Sequence, residues 1–175
     1  MSVSLRSSLP TFPSPRSSGA PYWVTLVCLG NICRSPMAEV VLRETLAKAG
    51  LSAQVAVDSA GTGDWHVGDA INDGARDALR RRGYDGTAHR ARQIQPRWLP
   101  DRDLLLAMDR SNQAALLRMG ADPDRVLLFG QAGGLAVVDV PDPYGGGPDV
   151  FDEVLDLIEA AAPRIADRLP PAPAW

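Results

Sequence analysis

Four short apolar runs recur along the chain, and each leads into a stretch whose apolar positions take helical spacing. Residues 22–27 form the first run and predict a buried strand. Residues 36–49 follow as a helix, with Met37, Val40 and Val41 facing inward and Glu39/Arg43 and Glu44/Lys48 as i,i+4 pairs on the wet side. Gly50 stops it. Residues 54–59 predict the second strand, with Val55 and Val57 alternating, and a Gly-rich loop over 60–68 carries Trp65 at its tip. Residues 72–82 predict a helix that ends in Arg80, Arg81 and Arg82, where cations suit the dipole, before Gly83. After a connection over 89–99, with a helical turn near Pro96, the run at 104–108 fits a buried parallel strand. Asp109 and Ser111 offer caps to a helix ending at Met119. Residues 126–129 predict the fourth strand, and 130–134 and 141–148 predict loops. A last helix spans 149–169, with Phe151, Val154, Leu155, Ile158 and Ile165 on one face and Pro163 expected to kink or restart it.

Strand and helix thus alternate four times. This pattern predicts a single α/β domain, a four-stranded parallel sheet flanked by helices on both faces. In such sheets ligands sit beyond the C-terminal ends of the strands, which is where the loop after the first strand falls.

That loop carries the chemistry. Cys28 is followed by five residues, Leu29, Gly30, Asn31, Ile32 and Cys33, and then by Arg34, Ser35 and Pro36 at a helix start. A loop of this length closing onto a helix N-terminus turns several backbone N–H groups into one hollow, and the helix dipole adds positive potential there. The same field favours a thiolate at Cys28. Arg34 supplies a planar fork able to hold two oxygens of a phosphoryl group. Cys-x5-Arg spacing alone does not separate a catalyst from a buried packing cysteine. The strand before it, the Gly-Asn pair inside it and the Ser-Pro after it favour an oxyanion cradle with a nucleophile at its floor.

The segment from Cys28 to Pro36 resembles the signature loop of the low-molecular-weight protein tyrosine phosphatases, and the resemblance runs over residues 22–169. It implies a flavodoxin-like strand order of 2-1-3-4 and hydrolysis of phosphotyrosine in proteins through a cysteinyl-phosphate. No cofactor is expected. It also selects the acid: on spacing alone Asp142 and Asp139 are equivalent, but Asp142-Pro143-Tyr144 matches the family's general-acid motif. Gly145 stands where the family often has a second aromatic, so one cleft wall is expected to be thinner. The resemblance gives Asn31, Ser35, Ser59 and His89 a supporting role behind the loop and sets Trp65 at the mouth with Tyr144. Ser35 is additionally expected to donate to the Cys28 sulfur. Asp109 is expected to act structurally, as a helix cap or as an orienting partner of the loop. Cys33 is expected to pack, or to form a reversible disulfide with Cys28. Two related chemistries remain as alternatives. Arsenate reduction draws on cysteines outside the loop, whereas both cysteines here lie inside it. Protein-arginine phosphatases typically have Thr where Ile32 stands, and an apolar Ile suits an aromatic ring better.

Composition narrows the partners. The 175 residues carry a formal charge of -3, with no basic field for nucleic acid. Two Cys and two His at unrelated positions offer no metal cluster, so no metal is expected. No apolar run approaches a membrane span, and a free thiol nucleophile suits the reducing cytoplasm. The expected partners are a phosphotyrosine-containing protein and a phosphate-like oxyanion in the loop. Residues 1–21 are rich in Ser and Pro, without an acid or an apolar signal core, and read as a disordered tail; residues 170–175 read as a second tail.

Overall fold

The computed structural model describes residues 9–170. In chain order the elements are β1 (Tyr22–Cys28), α1 (Arg34–Lys48), β2 (Val55–Gly61), α2 (Asp73–Arg81), a 3-10 helix (Pro96–Asp101), β3 (Leu104–Ala107), α3 (Arg110–Arg118), a 3-10 turn (Pro123–Arg125), β4 (Val126–Leu128), a short α4 (Phe129–Ala132) and α5 (Pro148–Ala166). The strands form one parallel sheet in the order β2-β1-β3-β4.

Successive side chains of a strand leave on opposite faces, so each apolar run serves two cores. Val24, Leu26, Leu104 and Leu106 join Met37, Leu42, Phe151, Leu155 and Ile158 beneath α1 and α5. Val27, Leu105 and Ala107 join Ile94, Leu99 and Leu116 on the face covered by α3 and the 3-10 helix. Each fully buried leucine contributes roughly 2 kcal/mol of apolar transfer.

The β2 edge of the sheet is closed by side chains and by the chain that follows. The outward carbonyl of Val57 accepts from Arg43 Nε and Nη2 at 3.0 and 2.6 Å. That of Ser59 accepts from Arg92 Nε and Nη2 at 3.3 and 3.0 Å. The carbonyl of Gly61 accepts from the Ile94 amide at 2.8 Å.

Four local expectations are corrected by the structure. The segment after β4 is not a loop throughout but includes the single turn of α4. α5 runs through Pro163 without interruption and ends at Ala166. The arginines at the end of α2 do more than meet its dipole: Arg81 reaches Asp152 at 2.8 Å, and Arg82 reaches Asp156 and Glu159 at 2.7 Å each. Asp152, Asp156 and Glu159 of α5 therefore tie the two helices together. Fourthly, the composition of residues 1–21 predicts disorder, but 9–21 lie along the domain. Tyr22 Oη donates to Pro13 O, the Arg16 amide to Asp103 Oδ1, Arg125 to Ser14 O and Arg168 to Pro10 O. The Arg168 guanidinium also sits 4.6 Å above the Phe12 ring. Apart from Tyr22, these partners come from residues far along the chain, which local composition does not reveal. Residues 1–8 of the expected tail, and 171–175, lie outside the described residues.

Candidate active site

β1 delivers Cys28 to the C-terminal edge of the sheet, and α1 begins six residues later at Arg34. The chain between them curls because Asn31 takes φ 56°, a left-handed conformation that asparagine tolerates better than most residues. Among the described residues the amides of Leu29, Gly30, Ile32 and Cys33 find no protein acceptor, and no side chain caps α1. The Asn31 amide points to Cys28 Sγ at 3.3 Å. The curl is seated against β2, where a Cβ on Gly61 would come within 2.6 Å of Leu29 O and 3.1 Å of Asn31 N.

A hydrogen-bonded chain runs behind the loop. Asn31 is fully buried, and its Nδ2 donates to Ser35 Oγ at 2.8 Å and to Ser59 Oγ at 2.9 Å. Its Oδ1 accepts from the Arg92 amide at 2.8 Å, which fixes the orientation of the side-chain amide. Ser59 in turn donates to Glu39. With both serine oxygens already accepting from Asn31, the Ser35 hydroxyl proton is free to point at Cys28 Sγ, 2.9 Å away. His89 Nε2 meets Asn31 O at 2.6 Å, with its other nitrogen 4.0 Å from Glu39. Burial lowers the pKa of His89, while the bond to Asn31 and the Glu39 carboxylate pull it upward.

Arg34 is buried beside the loop. Its Nη1 donates to Asp109 Oδ2 at 2.6 Å and to Val140 O at 3.1 Å. Asp109 does both of the things its position suggests, since its other oxygen caps α3 by accepting from the Asn112 amide at 2.8 Å. Arg34 Nη2 lies 3.5 Å from Asp142 Oδ2, on a carboxylate 47% exposed. Asp139, equivalent to Asp142 on spacing, is turned to Arg110 instead, accepting from its amide at 3.0 Å.

These groups surround a cavity of about 180 Å³ lined by Cys28, Gly30, Arg34 and Asp142, with Leu29, Ile32, Trp65, His66 and Tyr144 as walls and Cys33 also lining it. Asn31, Ser35, Ser59 and His89 stand behind it. Cys33 shares the lining, yet burial, with Cys28 and Asp142 nearby, pushes its thiol up to about 12. Cys28 and Cys33 are both free thiols.

Three contributors are hidden from sequence reasoning. Glu39 reads as the wet half of a helical pair; it does meet Arg43 at 2.7 Å, but it is buried and receives Ser59. His66 carries no local signal of a role; it forms part of the cleft wall, its ring edge 3.0 Å from where a Cβ on Gly30 would stand, with Asp69 3.0 Å from Nδ1. Arg92 lies three residues after His89, but only the fold brings its amide to Asn31.

A parallel sheet whose first strand ends in a cysteine, an anion loop, an inward arginine and a facing carboxylate defines a cysteine-dependent phosphatase scaffold. The family model for low molecular weight phosphotyrosine protein phosphatase matches residues 23–171, and the chain belongs to that family. Low molecular weight protein-tyrosine phosphatase A of Mycobacterium tuberculosis is 44% identical over 150 residues, covering 84% of this chain and 91% of that protein. The crystal structure of YfkJ from Bacillus subtilis superposes with a TM-score of 0.78 at 37% identity, covering 85% of this chain and 94% of that one. Vibrio vulnificus Wzb in complex with benzylphosphonate gives a TM-score of 0.75 at 29% identity, covering 85% and 99%.

Proposed function

We propose that the protein hydrolyses phosphotyrosine in proteins, and small aryl phosphates, through a phosphorylated cysteine. The observation that carries this reading is the meeting of three groups at one small cavity: Cys28 on its floor, Arg34 held by Asp109, and Asp142 within 3.5 Å of that arginine. The Cys28 thiolate attacks phosphorus in line with the leaving oxygen. The loop amides and Arg34 take the equatorial oxygens, which bear the developing charge. Asp142, in its acid form, gives its proton to the departing phenolate. In the second step Asp142 removes a proton from water, and the water oxygen displaces sulfur from phosphorus. The Ser35 hydroxyl donates to the sulfur as it leaves, stabilising the thiolate that is regenerated.

The walls favour an aromatic leaving group. Leu29, Ile32, Trp65 and Tyr144 present apolar surface on either side of the path from loop to solvent. Wzb, a neighbour in fold, is described in complex with benzylphosphonate, an aryl-methyl analogue of the proposed substrate. A free nucleophilic thiol suits a reducing compartment, which supports placing the enzyme in the cytoplasm.

The test is turnover of p-nitrophenyl phosphate and of a phosphotyrosine peptide. Cys28→Ser should abolish both, and Asp142→Asn should lower kcat about a hundredfold or more. Equal kcat/KM for phosphoarginine and phosphotyrosine would overturn the substrate, and full activity of Cys28→Ser would overturn the mechanism.

A further inference from the structure

The rim of the cleft carries information that the chemistry does not use. Trp65, Tyr144, Val67 and Leu29 are 70%, 61%, 57% and 45% exposed, four of the eight large apolar side chains exposed among the described residues. Three of them line the one cavity, and Val67 lies two residues from Trp65 on the same loop. Scattered single apolar residues need no explanation, but a set gathered around a site of chemistry marks a contact surface.

The charged side chains carried by the Trp65 loop itself are of one sign. Asp64 and Asp69 are exposed on the Trp65 loop, Asp69 anchoring His66 of the cleft wall at 3.0 Å. Among the residues lining the cavity, Arg34 is the only lysine or arginine, and it lies on the floor with a side chain 4% exposed, committed to Asp109 and to phosphate. A peptide seated by its phosphotyrosine therefore meets apolar surface first and carboxylates just beyond it. An acidic neighbour would be repelled there without compensation, and a basic one attracted.

We infer that the rim selects phosphotyrosine flanked by apolar residues and then by lysine or arginine, and that it discriminates against acidic flanks. The inference rests on the phosphotyrosine activity proposed above and adds the class of protein segment it acts on.

The experiment compares two phosphotyrosine peptides of equal length, each with leucine on both sides of the phosphotyrosine, one with arginine beyond the leucines and the other with glutamate. The ratio of their kcat/KM values should favour the basic peptide about fivefold or more at low ionic strength and shrink toward unity at about 0.5 M salt. In the Asp64→Asn/Asp69→Asn double variant the low-salt ratio should fall by at least about half. Because the readout is a ratio within each variant, any general loss of activity cancels. A wild-type ratio of one, a preference for glutamate, or a ratio that the double variant leaves unmoved overturns the inference. p-Nitrophenyl phosphate separates the two levels. If it is hydrolysed while the peptides are treated alike, only the rim inference fails; if neither it nor any peptide is hydrolysed, the phosphatase reading fails and the rim inference with it.

Discussion

Asn31 offers a direct way to weigh the hydrogen-bonded chain behind the loop against the backbone conformation it supports. Asn31→Ala removes two donors and one acceptor from a fully buried position and places a β-carbon residue at φ 56°. The left-handed conformation costs about 1 kcal/mol for alanine. Leaving the Arg92 amide without its acceptor costs about 1–3 kcal/mol, and the two serine contacts lose about 1 kcal/mol each. The sum is about 4–6 kcal/mol of folding stability, a large share of the total for a domain of this size. Asn31→Gly removes the same hydrogen bonds but tolerates the backbone, so it should recover only about 1 kcal/mol of that loss. Both variants also free the Ser35 hydroxyl from its fixed direction toward Cys28, which should lower kcat/KM for p-nitrophenyl phosphate by about ten- to a hundredfold. Urea denaturation and steady-state kinetics on the three proteins read both quantities. If Asn31→Gly matches the wild type in stability and turnover, the side-chain network contributes nothing and the backbone alone holds the curl of the loop.

Two further outcomes follow from groups that take no part in the proposed chemical steps. Burial holds Cys33 up to about 12 and raises Tyr22 well above the ordinary tyrosine range, Asp103 adding to the latter. Both are acids that the unfolded chain deprotonates first, so their contribution is fully present below about pH 8.5 and is lost as pH rises above it. Urea midpoints should fall between about pH 8 and 10.5, and less so in a Cys33→Ala/Tyr22→Phe variant; equal falls in both proteins would refute the assignment. Removing residues 1–21 strips Phe12 from Arg168 and Arg16 from Asp103, and should lower Tm by about 5–10 °C. Because those contacts lie away from the C-terminal ends of the strands, kcat for p-nitrophenyl phosphate should stay within about twofold at 25 °C; an unchanged Tm would show that the segment contributes no stability.

What the sequence disclosed, and what it did not, divides by range of interaction. The strands around Val24–Val27 and Leu104–Ala107 are short, apolar and bounded by turn residues, so their identity is local, and four strand–helix alternations leave few topologies open. The loop from Cys28 to Ser35 is also contiguous, and its residues come together in the structure as neighbours in sequence do. Asp142 is different: spacing could not prefer it to Asp139, and only the fold turns one to Arg34 and the other to Arg110. Glu39 fails for a related reason. Its i,i+4 partner is readable, but Ser59, which draws it inside, sits on another element. Arg81 and Arg82 carry a readable helix-end signal, whereas their partners on α5 lie about seventy residues away. Residues 9–21 have a disordered composition and an ordered course for the same cause, since their anchors are distant.

The arginines spread along the free border of β2 have a meaning for the molecule in a crowded solution. A strand with open carbonyls is a template on which a second chain can add itself, and a nucleophilic site built against such a strand would share its fate. Here Arg43 and Arg92 each place two donors on one outward oxygen, and Ile94 takes the next. Any incoming strand would have to displace charged, doubly bonded groups before forming its first rung. The sheet is finished at that side, and the protein is guarded against recruitment into an extended β assembly, in part by the same Arg92 whose amide anchors Asn31 in the loop after β1.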